Sequence, residues 1–355
     1  MRPRSLMFCC PFCFGDRDLR KNVFKRSTEI GRCSYCGSEN APLLPPGQLA
    51  EYFELLISAY VADESGKLLV QCFREDWGLF EHQRMDDSRA KDLLSEILDD
   101  GEIVRALFTP SVIAETDRLT EWEKLRDELM YRNRFFPDVD IDLERLRRLL
   151  DWLKLDSEEI AEIPSTWYRA RIKTGDRPFT ADDMGAPPKR IASHGRANPA
   201  GIPYLYLGST DVTAVSEIRP HTGELACVAE FNIPPGMVLA DLRRPRRMVS
   251  PFLLGDPQDI CRMRNDVPFL ERLGEELTRP VVPQSAAIDY TPSQYLCEFI
   301  KKCGFQGVLY RSSVSDGMNL ALFEPSLAAI GNVMEYHVSR VTVAIAPPAP
   351  IAAAR

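Results

Sequence analysis

The chain has 355 residues, 45% of them apolar, with 44 Lys and Arg against 52 Asp and Glu and ten cysteines. That is enough apolar chain to bury more than one core, and it excludes a disordered protein. No window of eighteen uncharged apolar residues occurs, and residues 1–18 carry Arg2, Arg4 and cysteines where a signal peptide would be apolar, so the expectation is a cytoplasmic protein with no membrane segment.

The net charge of −8 is uneven: residues 1–45 carry +4, residues 46–160 carry −13 and residues 161–355 carry +1. Three pieces are implied. The acidic middle argues against nucleic acid lying along it, whereas the basic head can touch phosphate.

In the head, Cys10-Pro-Phe-Cys13 and Cys33-Ser-Tyr-Cys36 place two thiolate pairs on two tight turns, nineteen residues apart. This is the knuckle spacing that a tetrahedral Zn²⁺ requires. A closed four-sulfur site leaves no position for water, so the zinc is assigned to structure and not to catalysis. Cys9 is then spare, and Cys72, Cys227, Cys261, Cys297 and Cys303 read as buried small hydrophobes.

Pro42, Pro45, Pro46 and Gly47 break the chain before the middle piece. Helical spacing of apolar residues runs through 48–61, 91–98, 119–131 and 143–153, with helix starts at Asp87 or Ser88 and at Thr120 or Asp117, which predicts a helical bundle. A HEPN-type ribonuclease site would need an Arg followed about five residues later by a His. His82 lies eight residues after Arg74, across Gly78, so the spacing fails and the HEPN-like domain is read as an adaptor or interface, with Trp77 and Phe80 in its core.

After Pro164 the pattern changes to short β-rich runs at 166–172, 202–207, 226–231, 237–241, 307–310, 320–323 and 338–344, with helical patterns at 212–218, 269–277 and 292–303. This predicts an α+β domain. Gly-x-Gly-x-x-Gly, Gly-x-x-x-x-Gly-Lys and Gly-x-Ser-x-Gly are all absent, which removes the usual support for hydride transfer, P-loop phosphoryl transfer and a serine-hydrolase elbow. The arginine run Arg243-Arg244-Pro245-Arg246-Arg247 reads as a solvated charge cluster, with a docking surface or a pyrophosphate rim as the alternatives.

The informative stretch is Gly195-Arg196-Ala197-Asn198-Pro199-Ala200-Gly201, then Tyr206 ten residues after Arg196 and Glu217 twenty-one residues after it. Upstream, Trp167-Tyr168-Arg169-Ala170-Arg171 would put both arginines on one face of a strand. Downstream come Gly307-Val308-Leu309-Tyr310-Arg311-Ser312-Ser313 and Asn319-Leu320-Ala321-Leu322-Phe323. These segments closely resemble the RES domain, a family named for Arg, Glu and Ser, over nearly all of residues 165–330.

The resemblance implies an NAD⁺-degrading domain with a fold similar to the ADP-ribosyltransferase toxins, commonly the toxin of a toxin–antitoxin pair, acting by hydrolysis or phosphorolysis. It matches Arg169 to the first-strand arginine, Arg196 to the loop arginine, Tyr206 to the strand tyrosine, Glu217 to the acidic residue and Ser312 or Ser313 to the serine. Asn198 is counted with Arg169, Arg196 and Tyr206 in the dinucleotide site. Ala197 departs from the family, standing where an aromatic often follows the loop arginine.

Chemistry agrees with this assignment. Cleavage between ribose and nicotinamide passes through an oxocarbenium-like state that a carboxylate such as Glu217 stabilises, and guanidinium forks such as Arg169 and Arg196 grip pyrophosphate. The expected architecture is therefore multidomain: a zinc ribbon at 1–45, a helical HEPN-like domain at 46–160, a RES-like α+β domain at 161–345 and a flexible tail at 346–355. Expected partners are NAD⁺, inorganic phosphate as an acceptor, an antitoxin or other protein, and further copies of the chain. The rival readings are an ADP-ribosyltransferase acting on a macromolecule, and a non-enzymatic zinc-ribbon adaptor that senses a nucleotide.

Overall fold

The computed structural model describes residues 7–112, 118–139, 141–155, 163–282 and 284–343. The tail expected at 346–355, the division expected at 160 and the helix start at Asp117 lie outside those residues. The chain forms two compact units, Met1–Lys154 with Ala240–Cys303, and Leu155–Leu239 with Gly304–Arg355. This grouping cuts across the sequence segment 161–345, because 240–303 folds with the amino-terminal half.

In the first unit, Asp16 caps the helix Arg17–Arg26 by accepting from the Leu19 N–H at 2.7 Å. The strands Glu29–Gly31 and Ala41–Leu43 pair antiparallel and enclose the second cysteine pair, while Cys9 bridges to Leu44 beside the first. The middle contains the expected helices at Ala50–Ile57, Asp87–Leu98, Arg118–Tyr131 and Leu143–Trp152, and another at Leu69–Trp77. It is not helical throughout. Tyr60–Leu68 and Leu107–Pro110 form an antiparallel pair with an irregularity between Ala62 and Lys67. The run Ala62-Asp63-Glu64-Ser65-Gly66 has no apolar alternation, so no strand signal was present there. Trp77 and Phe80 are buried, and the Trp77 indole donates to the Tyr60 hydroxyl at 2.9 Å.

The segment 240–303 supplies the helices Pro257–Thr278 and Thr291–Lys302. Asp266 and Glu276 on the first of these are almost fully buried. Asp266 pairs with Arg118 and Arg145, and Glu276 pairs with Arg272 at 2.9 Å and Arg126 at 3.3 Å. The Trp122 indole donates to Glu276 at 3.3 Å and its ring meets Phe269 edge-on. The arginine cluster is likewise committed to structure: Arg243 chelates Asp241, Arg246 pairs with Glu271 and Arg247 with Glu81.

A sheet of seven strands comprises β1 Thr166–Ile172, β2 Leu205–Gly208, β3 Leu225–Asn232, β5 Gly307–Arg311, β6 Met318–Leu322 and β7 Ala329–His337, all in the second unit, and β4 Leu239–Asp241, which begins on that unit's last residue before the boundary. Their order is β7-β3-β1-β2-β6-β5-β4, and every pairing from β7 to β5 is antiparallel. The strand expected at 338–344 is absent among the described residues, the edge strand falling instead on the preceding Ala329–His337. β1 pairs with β3 at seven positions but with β2 at one, Tyr168 opposite Gly208, so the sheet is nearly split there. The helix Asp211–Glu217 packs on this sheet through Ala214 and Val215, against Tyr168, Ala170, Val228 and Tyr336. No helix among the described residues is long and apolar enough to cross a membrane.

Replacing Asp266 by Ala leaves two guanidinium groups facing each other with their buried carboxylate gone. The expected loss is about 3–5 kcal/mol in stability, read as a lower urea midpoint for unfolding of the first unit. An unchanged midpoint would show that the two arginines find solvent on their own.

Candidate functional site

Register decides which residues share a face. Tyr168 lies opposite Gly208, Gly208 opposite Asn319, and Asn319 opposite Tyr310. By strand alternation Tyr206 and Ser312 lie on that same face, the one covered by the helix Asp211–Glu217. Trp167, Arg169 and Arg171 fall on the opposite face.

Glu217 ends the helix, half-buried, with its carboxylate over the ends of β5 and β6. Its Oε1 accepts from the Ser312 hydroxyl at 2.7 Å and from the Asn319 side-chain amide at 2.6 Å. No hydrogen bond to its Oε2 is found among the described residues. The Ser312 hydroxyl is itself oriented, since its oxygen accepts from the backbone N–H groups of Val314 and Ser315, both at 3.1 Å. Ser313 faces elsewhere: its hydroxyl accepts from Arg196 Nη2 at 3.2 Å. The two adjacent serines thus serve two different charged groups.

The loop 312–317 is closed by the Ser312 N–H donating to the Gly317 carbonyl at 3.0 Å. It is tied to the helix start by Ser315 donating to Thr213 Oγ1 at 3.2 Å, and to β2 by the Met318 N–H donating to Ser209 Oγ at 3.1 Å. A Cβ at position 317 would fall 2.0 Å from Thr213 Oγ1 and 2.9 Å from Ser209 Oγ. Only glycine allows this close approach.

The loop before β2 is organised around Asn198, which is buried. Its amide donates to the carbonyls of Ser193, Pro199 and Ile202 at 2.8–3.1 Å, and its Oδ1 accepts from the Tyr206 hydroxyl at 2.7 Å. The Tyr206 oxygen in turn accepts from the Ala197 N–H at 2.9 Å. A Cβ at Gly195 would lie 2.6 Å from both polar tips. The polar atoms of Asn198 and the Tyr206 hydroxyl are therefore spent in holding the Arg196 loop. Asn198, expected in the dinucleotide site, is thus bonded within its own loop, and Tyr206 is half-buried beside it.

Arg169 is not brought to Glu217. Its Nη1 donates to the Tyr206 carbonyl at 3.3 Å, across the gap where β1 and β2 part. Burial, with the like charge of Arg171 next, pulls this guanidinium down to about 10, so it stays protonated at neutral pH. Its buried Nε finds no hydrogen-bond acceptor among the described residues. Arg171 lies over the Phe179 ring at 4.4 Å. The residue the sequence reading left out of the site is Asn319, whose only sequence signal is one polar residue at the head of the apolar run Leu320-Ala321-Leu322.

In the head of the first unit, the sulfurs of Cys10, Cys13, Cys33 and Cys36 all lie within 4.8 Å of one another and all four residues are buried. The Cys10–Cys36 and Cys13–Cys33 separations are 3.4 Å. Tetrahedral metal–sulfur bonds of about 2.3 Å need sulfurs a little under 4 Å apart, so the donor set fits. Cys9 does not join it: its thiol donates to the Leu44 carbonyl at 3.3 Å, and burial pushes it up to about 12.

Residues 166–341 match the RES domain family. The chain carries a RES domain. Every candidate residue from Arg169 to Asn319 lies inside it. No curated protein sequence matches the chain. Among solved structures, the crystal structure of the M. tuberculosis MbcT–MbcA toxin–antitoxin complex contains a chain 14% identical, with a TM-score of 0.32, the match covering 55% of this chain and 94% of that one.

Gly317→Ala is expected to cost about 1–3 kcal/mol through overpacking against Thr213, seen as a lowered melting temperature. Gly185→Ala, where an added Cβ meets nothing within 4 Å, is the control and should leave it unchanged. Equal effects at the two positions would contradict the close approach described.

Proposed function

We propose that the RES domain cleaves NAD⁺ at the bond between nicotinamide and ribose. The observation that carries this reading is the Glu217 carboxylate, held on Oε1 by Ser312 and Asn319, with no hydrogen bond to Oε2 among the described residues. A carboxylate fixed in this way can accept a hydrogen bond from a ribose hydroxyl and stabilise the positive charge that grows on the sugar as the bond breaks. Nicotinamide leaves neutral with the bonding electron pair, so no general acid is needed on that side. The oxygen of water, or of inorganic phosphate, bonds to the ribose carbon and one proton is released, giving ADP-ribose or its phosphate ester. Arg196, presented by the Asn198–Tyr206 loop and set on Ser313, supplies the guanidinium for the pyrophosphate, and Tyr206 offers a ring face.

The nearly split sheet with Arg169 at the parting supports a fold similar to the ADP-ribosyltransferase toxins. Depletion of NAD⁺ would inhibit growth, which suits a cytoplasmic toxin or anti-phage effector restrained by an antitoxin or other protein partner, with self-association open to it. Cys10, Cys13, Cys33 and Cys36 would hold a structural Zn²⁺ with no coordination position left for substrate.

Purified protein incubated with NAD⁺ labelled in the adenosine half tests the reaction. Free nicotinamide and small labelled products are expected, with ADP-ribose alone indicating hydrolysis and a phosphate ester on adding phosphate indicating phosphorolysis. Glu217→Gln should lower the rate about 100- to 1000-fold. Label on macromolecules would replace this reading with a transferase, and an undiminished rate in the variant would remove Glu217 from the chemistry.

For the metal, elemental analysis should find one zinc per chain, lost on Cys→Ser replacement at 10, 13, 33 or 36 and kept in Cys9→Ser. Retention in all the variants would overturn the assignment.

A further inference from the structure

The second knuckle forms one wall of an open groove of about 660 Å³, lined by Arg32, Ser34, Gly37, Arg84 and Arg89. All of these belong to the first unit. The three arginines are exposed, and their placement is fixed by the fold. Arg84 Nη1 donates to the Gly37 carbonyl at 3.4 Å, and Arg89 Nη1 donates to the carbonyls of Tyr35 at 3.4 Å and Arg84 at 3.0 Å. Arg32 stands on the knuckle itself, directly before Cys33.

These cations are unlike most others of the same unit. Arg74, Arg118, Arg126, Arg145, Arg243 and Arg272 each face a carboxylate within ion-pair distance. Among the described residues, Arg32, Arg84 and Arg89 face none. The acidic side chains nearest Arg84 and Arg89 in sequence have other partners: Asp86 caps the following helix through the Arg89 N–H at 2.9 Å, and Asp87 pairs with Arg74. None of the three arginines is shown donating to a cysteine sulfur; Arg84 and Arg89 bond the backbone of the second knuckle instead. Three guanidinium groups with no carboxylate partner among the described residues outnumber the two negative charges that four thiolates and one Zn²⁺ would carry, and so mark a place for an external anion.

We propose that this groove takes the sugar–phosphate backbone of a nucleic acid. Its exposed lining is polar and cationic, with no apolar pocket for the aromatic or aliphatic anchor on which protein partners depend. Recognition by charge alone, through guanidinium forks spread along an open channel, is what a phosphodiester chain requires. The site is separate from the NAD⁺ reading of the RES domain and stands or falls without it.

The test uses the full-length, metal-loaded protein and fluorescently labelled single-stranded and duplex oligonucleotides, with anisotropy measured from 50 to 300 mM salt. Binding should weaken with salt, with a log–log slope of about −2 to −3 for three phosphate contacts. Arg32→Glu should lower affinity at least tenfold and flatten the slope by about one. Arg32 has no side-chain partner among the described residues, so this variant leaves the knuckle intact, and unchanged zinc content and NAD⁺ consumption would confirm that. Arg84→Ala and Arg89→Ala should act in the same direction, while Arg190→Glu in the RES domain should not. The proposal is overturned by absence of binding at 50 mM salt, by binding indifferent to Arg32→Glu, or by a poly-glutamate peptide competing as well as the oligonucleotide, which would assign the groove to an acidic protein.

Discussion

Two hydrogen bonds on one carboxylate oxygen organise the RES domain. Glu217 sits at the end of a helix of seven residues, too short to hold a direction in water by itself. The donors come from residues almost a hundred positions later, Ser312 just past β5 and Asn319 on β6. Because both converge on Oε1, they hold that end of the carboxylate in place. Charge-assisted bonds of this kind are short and strong, and they make the helix end, the 312–317 loop and the β5–β6 edge depend on one another. Gly317, Thr213, Ser315 and Ser209 can be understood as what brings the loop close enough for those bonds to form.

A second constraint sets the other side of the site. The chain between Gly195 and Tyr206 has no regular structure, yet Asn198 gathers three carbonyls and the Tyr206 hydroxyl around one amide. The loop that presents Arg196 is therefore preorganised before any ligand arrives, which reduces the ordering cost of binding. Where β1 and β2 separate, Arg169 bonds the backbone of β2 in place of the missing ladder. Its Nε is buried and without a hydrogen-bond partner among the described residues.

Much of this was legible in the sequence, for definite reasons. The cysteine pairs declare themselves because tetrahedral coordination fixes both residue type and spacing. β1 and β3 show as β-rich runs and the helix Asp211–Glu217 as a helical pattern, and the offsets from Arg196 to Tyr206 and Glu217 reflect a loop–strand–helix unit that is local in sequence. Other features were hidden. The helix Pro257–Thr278 runs through Pro268, where a sequence reading stops it, and its packing rests on buried Asp266 and Glu276, which look like surface residues until their arginines are placed. The strand Tyr60–Leu68 is mostly exposed and carries no alternation. The place of Asn319 beside Glu217 is a product of pairing over 102 residues, and no local pattern encodes it.

The account's central claim is that the open face of Glu217 meets the ribose that carries nicotinamide. The most direct measurement is a crystal structure of the Glu217→Gln protein grown with NAD⁺, where slow turnover preserves the dinucleotide. The account predicts a ribose hydroxyl within hydrogen-bond distance of the residue 217 side chain, with Ser312 and Asn319 still bonded to its other end and Arg196 on the pyrophosphate. A dinucleotide bound away from the Ser312–Asn319 edge, with position 217 untouched, would contradict it.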